Sequence, residues 1–499
     1  MLRATTLGAL AAVALAEATR SSASNCTWQK DMDYQPTSSS GTFHATTQEE
    51  CCALCWQHPT CRAGTFQPSS SKCFLKGGLI TPVPKPGANL VGCLARPNPS
   101  PPPPFDCSKP GADCAGRLGA THWNPCYFIN PQLPVLIDGA QSLASMGSRV
   151  IKVAVFNPRG NYPFNSPDWP EDSAFTDLRS MLQHKYYRML WDMSDFDTFV
   201  LIAYSTVGGP AGGDISYYTH GITDAQVEEE TKQLREAASW LIATYPQKTF
   251  VIENWEGDWA SRAGGYDANK PATNLSLMSM RRWLAARQAG VTQARAARDE
   301  AVALGGDERT TQGNVFFSAE VNLVQKTRTT VGSTQYPRGF PNMVNEVIPY
   351  VQLDMVSYSS YDSQESPSDF PACLDFIAAH HNRTAASPPG HAAYFIAEYG
   401  MAENIASNQT VVATVENVVS TALSWGASFV LFWETFDNEC TGGVGCSAGR
   451  CHDAAHPVSD PKRLHGFWLT RPDGSHSWPY TFLKRAISEG THRGAGAWP

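Results

Sequence analysis

Short apolar runs alternate with longer amphipathic ones along most of this chain. Arg149–Phe156, Phe199–Tyr204, Phe250–Ile252, Val315–Ala319, Met355–Tyr358, Ala393–Ile396 and Ser428–Phe432 are brief and rich in β-branched and aromatic residues, and each predicts a buried strand. Helical stretches lie between and around them. Val135–Met146 is closed by Gly147, Leu178–Leu190 follows the first strand, and Thr223 with Gln226 makes a capping box opening a helix whose Val227, Leu234 and Leu241 share one face. Asn274–Leu304, closed by Gly305 and Gly306, carries many arginines on its outer side; Phe370–His380, Val411–Trp425 and a closing Trp478–Ser488 complete the set. An eighth strand is placed at Leu118–His122 on order alone. Strands alternating with helices predict βαβ units and a parallel sheet, hence an α/β fold with a (β/α)8 TIM barrel.

The strand ends carry the chemistry. The stretch Val251–Trp259 reads V-I-E-N-W-E-G-D-W, so one strand breaks into Glu253, Asn254, Trp255, Glu256, Asp258 and Trp259. Carboxylates, an amide and indoles at the end of a buried strand are costly to place in a core without a purpose. The Ala393 strand ends in Glu398, Tyr399 and Gly400, the Ser428 strand in Trp433 and Glu434, and the Val315 strand in Glu320. Such strand ends predict an active site at the C-terminal face of the barrel.

Composition narrows the setting. The formal charge is −8, charged residues make up 17% and no basic run occurs, which argues against nucleic acid or an anionic membrane as partner. Met1–Ala16 reads as a secretory signal peptide: Arg3 precedes the apolar Leu7–Ala16, with Ala14 and Ala16 as small residues before a cut. That run is short for a bilayer, and no other stretch qualifies as a transmembrane segment. Fourteen cysteines and the sequons at Asn25, Asn274, Asn382 and Asn408 suit an oxidising secretory route, so the expected location is secreted, extracellular.

Seven of the cysteines fall between residues 25 and 96: Cys26, Cys51, Cys52, Cys55, Cys61, Cys73 and Cys93. A segment this small needs cross-links to be stable. Its run E-E-C-C-A-L-C-W-Q-H-P-T-C, followed by K-C-F-L-K, resembles the PAN/apple module. The resemblance implies Cys51 (or Cys52) with Cys73, Cys55 with Cys61 and Cys26 with Cys93, and a glycan or protein as ligand; a disulfide-stapled spacer is the plainer alternative. P-N-P-S-P-P-P-P at Pro97–Pro104 is a stiff spacer, giving a linker over 97–106 and a second domain over 107–499. That domain exceeds the ~250 residues of a typical barrel, so long loops are expected.

The second domain resembles the retaining (β/α)8 glycoside hydrolases of clan A, on its strand-end residues and its closing H-G-F-W-L-T-R-P-D-G-S-H-S-W-P-Y. The resemblance implies Glu398 at the end of strand seven as nucleophile and Trp433 at the end of strand eight as a sugar-facing indole. It also implies a strand-six tyrosine, matched by Tyr358 or Tyr361, and an acid/base glutamate at the end of strand four. There the family has asparagine directly before its glutamate, whereas N-W-E puts Trp255 between Asn254 and Glu256. Strand alternation sets Asn254 and Glu256 on one side, Glu253 and Trp255 on the other, and Glu256 is preferred as the acid with Glu253 and Asp258 as competitors. Trp255, Trp259 and Trp433 are read as sugar-stacking walls, and Glu320 as a third carboxylate or substrate-binding residue. The basic residues expected on strand two are represented only by Lys152, for which Glu398 is also a possible buried ion-pair partner.

Two glutamates suffice for β-glycoside hydrolysis, one protonated to release the leaving oxygen and one ionised to attack the anomeric carbon, with no metal or organic cofactor. Cys440, Cys446, Cys451, His452 and His456 have a zinc-like spacing, but disulfides are the stronger reading in an exported chain. With Cys107, Cys114, Cys126 and Cys373 the second domain also has an odd count, which leaves a free thiol or a bridge between domains. The main rival to an enzyme is a non-catalytic carbohydrate-binding or adhesive protein on a glycosidase-like barrel, the altered N-W-E being its support.

Overall fold

The computed structural model describes residues 27–57, 61–94, 107, 113–263, 265–304, 314–386, 393–447, 449–451 and 455–489. The leader Met1–Ala16, Asn25, Cys26, the Pro97–Pro104 spacer, Gly305, Gly306 and His452 lie outside them. The chain divides into two compact units, one of residues up to 101 with 325–340, the other of 102–324 with 341–499.

The first unit is an antiparallel five-stranded sheet in the order β1-β5-β3-β4-β2, built from β1 (Thr27–Lys30), β2 (Met32–His44), β3 (Cys61–Gln67), β4 (Lys72–Pro84) and β5 (Val91–Leu94). Helix α1 (Gln48–Gln57) is stapled to it by Cys51–Cys73 and Cys55–Cys61. Its small core consists of those four cysteines with Ala45, Phe66 and Leu75, so the sulfur bridges replace the apolar volume that so short a segment lacks. Cys93 corrects the implied pairing: it is a buried free thiol, whereas Cys52 is disulfide-bonded.

The second unit is a closed barrel of eight parallel strands: β6 (Leu118–His122), β7 (Val150–Val155), β8 (Thr198–Ala203), β9 (Thr249–Glu253), β10 (Asn314–Val321), β11 (Met355–Ser359), β12 (Tyr394–Tyr399) and β13 (Val430–Phe432). Strand β13 pairs with β6 and closes the ring. Each strand expected from apolar runs has its counterpart, including the one placed by order alone. Helices cover the outside, among them α2 (Val135–Met146), α3 (Leu178–Leu182), α4 (Lys185–Trp191), α5 (Asp224–Thr244), α6 (Asn274–Ala303), α7 (Asp369–His380), α8 (Asn408–Trp425) and α9 (Trp478–Glu489).

Two helical expectations change. Leu178–Leu190 is two helices, because His184 leaves the helical conformation and its imidazole caps the second by accepting from the Tyr186 N–H. Arg287 of α6 faces inward rather than outward. Fully buried, it donates to Glu230 of α5 at 2.7 Å and lies 4.6 Å from the Trp283 ring centre, so an ion pair compensates its desolvation.

The barrel interior is layered. Val150, Val200, Val251, Phe316, Met355, Phe395, Ala397, Phe429 and Leu431 form a dry apolar floor. Two residues further along several of these strands, the period-two alternation brings Lys152, Glu253, Ser318 and Ser357 inward above that floor. Alternation alone puts Glu398 on the opposite face from Phe395 and Ala397. The register corrects this: Tyr358 pairs with Ile396 but Ser359 pairs with Glu398, so Ala397 is an extra residue and the bulge turns Glu398 into the barrel.

Disulfides in this unit join Cys107–Cys114, Cys126–Cys451 and Cys440–Cys446, and the buried Cys373 takes part in none of these three. The sulfurs of Cys440, Cys446 and Cys451 are thus committed to cross-links.

Candidate active site

Glu256 and Glu398 converge on one hydroxyl. Ser359, the last residue of β11, has its Oγ 2.8 Å from Glu256 Oε1 and 3.2 Å from Glu398 Oε2. Both carboxylates are nearly buried, at 8% and 2% exposure. A serine hydroxyl has one proton, so it donates to only one of them and accepts from the other if that one is protonated. Alternation does not carry Glu256 there. Strand β9 ends at Glu253, and Glu256 sits at φ +25° just before a one-turn helix, Gly257–Ala260, which swings its side chain over the barrel mouth.

Below them lies Lys152. Its Nζ is 2.9 Å from Glu253 Oε1, 3.0 Å from Glu320 Oε2 and 3.1 Å from Glu398 Oε1. Lys152, Glu253 and Glu320 have no exposed surface. Ser357 donates to Glu253 Oε2 at 2.8 Å. Burial, and then the negative charge of Glu398, hold the Glu256 carboxyl well above the usual carboxylate range. Burial also raises Glu398, but the Lys152 charge and hydrogen bond oppose it. Glu320 is likewise pushed well above its ordinary value by burial, against the pull of Lys152. Both carboxyls of the bridged pair are thus held above their ordinary values, with the ammonium of Lys152 against Glu398 opposing the rise there.

The competing carboxylates have other work. Asp258 Oδ2 accepts from the Asn322 and Leu323 N–H groups at 2.9 and 3.0 Å, and its Oδ1 from the Met343 N–H at 2.7 Å. It ties the loop after β9 to that after β10. Glu253 is the partner of Lys152. Asn254 is also fully buried; its Oδ1 accepts from the Glu320 N–H at 3.3 Å, which holds β9 against β10.

Of the two tyrosine candidates, Tyr358 faces away: its ring lies parallel to Phe370 of α7 and its hydroxyl engages Asp362 and Ser363. Tyr361 keeps 36% of its surface, yet its hydroxyl is desolvated and feels the charges of Glu398 and Glu256, which push it well above the ordinary phenol value. Trp433 lies edge-on to Trp123 at 5.7 Å, and Trp123 meets Trp255 at 6.0 Å. Trp259 contacts the exposed Tyr266 at 5.6 Å, and Tyr266 reaches Trp255 at 6.4 Å. Glu320 belongs to the Lys152 cluster within the barrel.

Sequence reasoning missed Ser359, Trp123 and Tyr266. Ser359 follows a predicted strand directly and Trp123 lies one residue beyond β6, so position at a strand end was the available signal. Tyr266 lies in a loop, where no periodicity marks it.

Fold and site together define a (β/α)8 barrel bearing a hydroxyl-bridged carboxyl pair at the C-terminal ends of its strands. Residues 28–88 match the PAN domain family, so the N-terminal unit is a PAN domain. No curated protein matches the sequence. Among solved structures, the chain is similar to the exo-beta-1,4-mannosidase Op5Man5 from Opitutaceae bacterium strain TAV5, at 13% identity and TM-score 0.43, covering 76% of this chain. The match spans 60% of the mannosidase, less than two thirds of its length. It is also similar to a GH5_18 protein from Streptomyces cattleya in complex with Manb1-4GlcNAc, at 11% identity and TM-score 0.44 over 77% of this chain and 82% of that one. A Bacteroidetes-affiliated GH5 cellulase linked with a polysaccharide utilization locus aligns at 12% identity and TM-score 0.42, over 78% of this chain and 95% of its own.

Proposed function

We propose that this protein is a glycoside hydrolase that cleaves β-glycosidic bonds with retention of configuration. The observation that carries the reading is the bridge from Glu256 to Glu398 through Ser359. The bridged oxygens are no farther apart than the sum of those two distances. That limit on their nearer oxygens admits the ~5–5.5 Å carboxyl separation of retaining pairs.

Glu398 is the nucleophile. An oxygen of its carboxylate attacks the anomeric carbon as the glycosidic C–O bond breaks, and Glu256 transfers its proton to the departing oxygen. The product is a glycosyl ester on Glu398. Glu256, now ionised, takes a proton from a water that attacks the same carbon, and release of the sugar restores both groups. Trp433, Trp255 and Trp259 wall the sugar, and Tyr361 faces the pair. The chemistry is complete without a cofactor.

The PAN domain serves as a glycan- or protein-binding module, joined by the proline-rich spacer to a catalytic domain over 107–499, in a protein exported through the secretory pathway. A panel of activated 2,4-dinitrophenyl β-glycosides tests the activity, with turnover lost in Glu398→Gln. Binding of glycans without turnover of any member contradicts the enzyme and favours a carbohydrate-binding protein.

A further inference from the structure

Trp255, the residue that separates Asn254 from Glu256, stands just beyond the sheet. The ladders joining β9 to β8 and to β10 end at Glu253. Trp255 is nonetheless buried, so its N–H needs an acceptor, and it donates to the Tyr204 hydroxyl at 3.0 Å. Glu256 follows at φ +25°, a conformation that a residue with a Cβ keeps only where its surroundings impose it.

Tyr204 directly follows β8 and is buried. Its ring stacks on Trp283 of α6 at 5.9 Å and meets Phe156 edge-on at 5.1 Å. The buried ion pair of Arg287 with Glu230 holds both of its chain neighbours. Arg287 donates to the Ala203 carbonyl, and Glu230 accepts from the Ser205 hydroxyl as well as from Tyr217 at 2.8 Å. On the other side the turn is tied to β10 and the loops beyond it, through Asn254 and Asp258. A Cβ on Gly257 would lie 2.7 Å from the Glu320 carbonyl oxygen, so the backbone there is pressed against β10.

Building on the retaining reading above, we propose that Tyr204 is a positioning residue for the acid/base: by accepting from Trp255 it holds the turn that aims Glu256 at Ser359 and Glu398. Ring packing fixes where the hydroxyl stands, the hydroxyl fixes the Trp255 peptide, and that peptide sets the direction in which Glu256 leaves the strand. With the oxygen removed, a buried N–H loses its acceptor and the turn relaxes toward water, taking the Glu256 carboxyl with it. Tyr204 acts through the turn and needs no contact with the sugar.

Tyr204→Phe keeps the ring and its packing and removes the oxygen alone. The first measurement needs no substrate: full-length protein carrying 13C at the glutamate Cδ is titrated by NMR, with the Glu256 resonance assigned from Glu256→Gln. The groups that face Glu256 are Glu398 and Lys152 in the barrel, Glu320 of β10, Asp258 on its own turn, Ser359 at the end of β11 and Tyr361 beyond it. Burial and Glu398 hold its midpoint high, so relaxation of the turn lowers it. Tyr204→Phe should lower that midpoint by at least about one unit, about tenfold in proton affinity. The second measurement compares kcat/KM on an alkyl β-glycoside, whose leaving group needs the proton, with that on a dinitrophenyl β-glycoside, whose leaving group does not. The loss should be at least about tenfold on the first and at most about twofold on the second. An unmoved Glu256 midpoint, or equal losses on both glycosides, overturns the proposal. A merely structural tyrosine would lower the melting temperature and leave the titration in place. A wild type that turns over neither glycoside refutes the retaining reading instead, and the titration then decides the positioning of Glu256 by itself. If Tyr204→Phe does not fold, amide hydrogen exchange in the wild type decides. The Trp255 N–H should exchange at least about a hundredfold more slowly than an exposed amide, and exchange at the exposed rate overturns the assignment.

Discussion

Glu256 and Glu398 lie on opposite sides of one hydroxyl, that of Ser359, and among the described residues Glu398 is the one of the two within ion-pair distance of a cation, Lys152. The asymmetry assigns different tasks to two chemically identical side chains. The same hydroxyl gives a prediction with a defined sign. Its one proton favours the ionised form of the carboxyl that receives it, Glu398 in the proposed mechanism, while its oxygen, accepting from Glu256, favours the protonated form of that one. Ser359→Ala should therefore raise the proton affinity of Glu398, lower that of Glu256 and narrow the bell-shaped pH profile of kcat/KM from both sides. Loss of one or two hydrogen bonds should lower the maximum about tenfold. A pH–rate profile with an alkyl β-glycoside, whose leaving group needs the proton, checks this, and a profile that widens or moves as a whole contradicts it.

Glu256→Ala should lose activity on substrates with poor leaving groups far more than on dinitrophenyl glycosides, because the latter need no proton. Added azide should restore turnover and give a β-glycosyl azide. The same rescue in Glu253→Ala, and not in Glu256→Ala, would reassign the acid.

Asp258 separates a structural carboxylate from a catalytic one. Asp258→Ala leaves three backbone N–H groups without their acceptor and should destabilise the barrel by about 3 kcal/mol, read from denaturant unfolding. Azide should not rescue its activity.

Glu434 is fully buried, and its Oε2 accepts from the Trp123 N–H at 3.4 Å. Burial and the charge of Asp437 raise it well above the carboxylate range. The folded state thus holds this proton more tightly than the unfolded state, so stability falls as pH rises from the unfolded value toward the folded one. Glu434→Gln should remove that loss. Its melting temperature should match the wild type near pH 4 and exceed it at pH 8, by about 1.4 kcal/mol of stability for each unit of the shift. Equal melting curves at pH 8 refute this.

Much of this architecture was legible in the sequence, for physical reasons particular to each element. Barrel strands are buried on both faces, so Phe250–Ile252 and Met355–Tyr358 stand out as apolar runs whatever their surroundings. Carboxylates at their ends single out one end of the barrel, where Glu398 meets Glu256 across Ser359 and Glu320 across Lys152. Orientation was not legible. Strand alternation failed at Glu256, where a positive φ ends the strand, and at Glu398, where the extra Ala397 reverses the face; both are backbone events with no residue signature. Tyr358 and Tyr361 could not be ranked because the turn between them sets which one meets the carboxyl pair. The implied Cys26–Cys93 pairing failed because doubled cysteines offer two thiols to the same neighbourhood, and Cys93 lies in β5 as a free thiol.

The central claim is that Glu398 becomes covalently bound to the sugar. Incubation with activated 2-deoxy-2-fluoro β-glycosides, followed by peptic digestion and mass spectrometry, tests it most directly, because fluorine at the 2-position slows breakdown of the intermediate. A time-dependent label on the peptide containing Glu398, absent in Glu398→Gln, is the predicted result. A glycosyl label on Glu256, Glu253 or Glu320 would contradict the account.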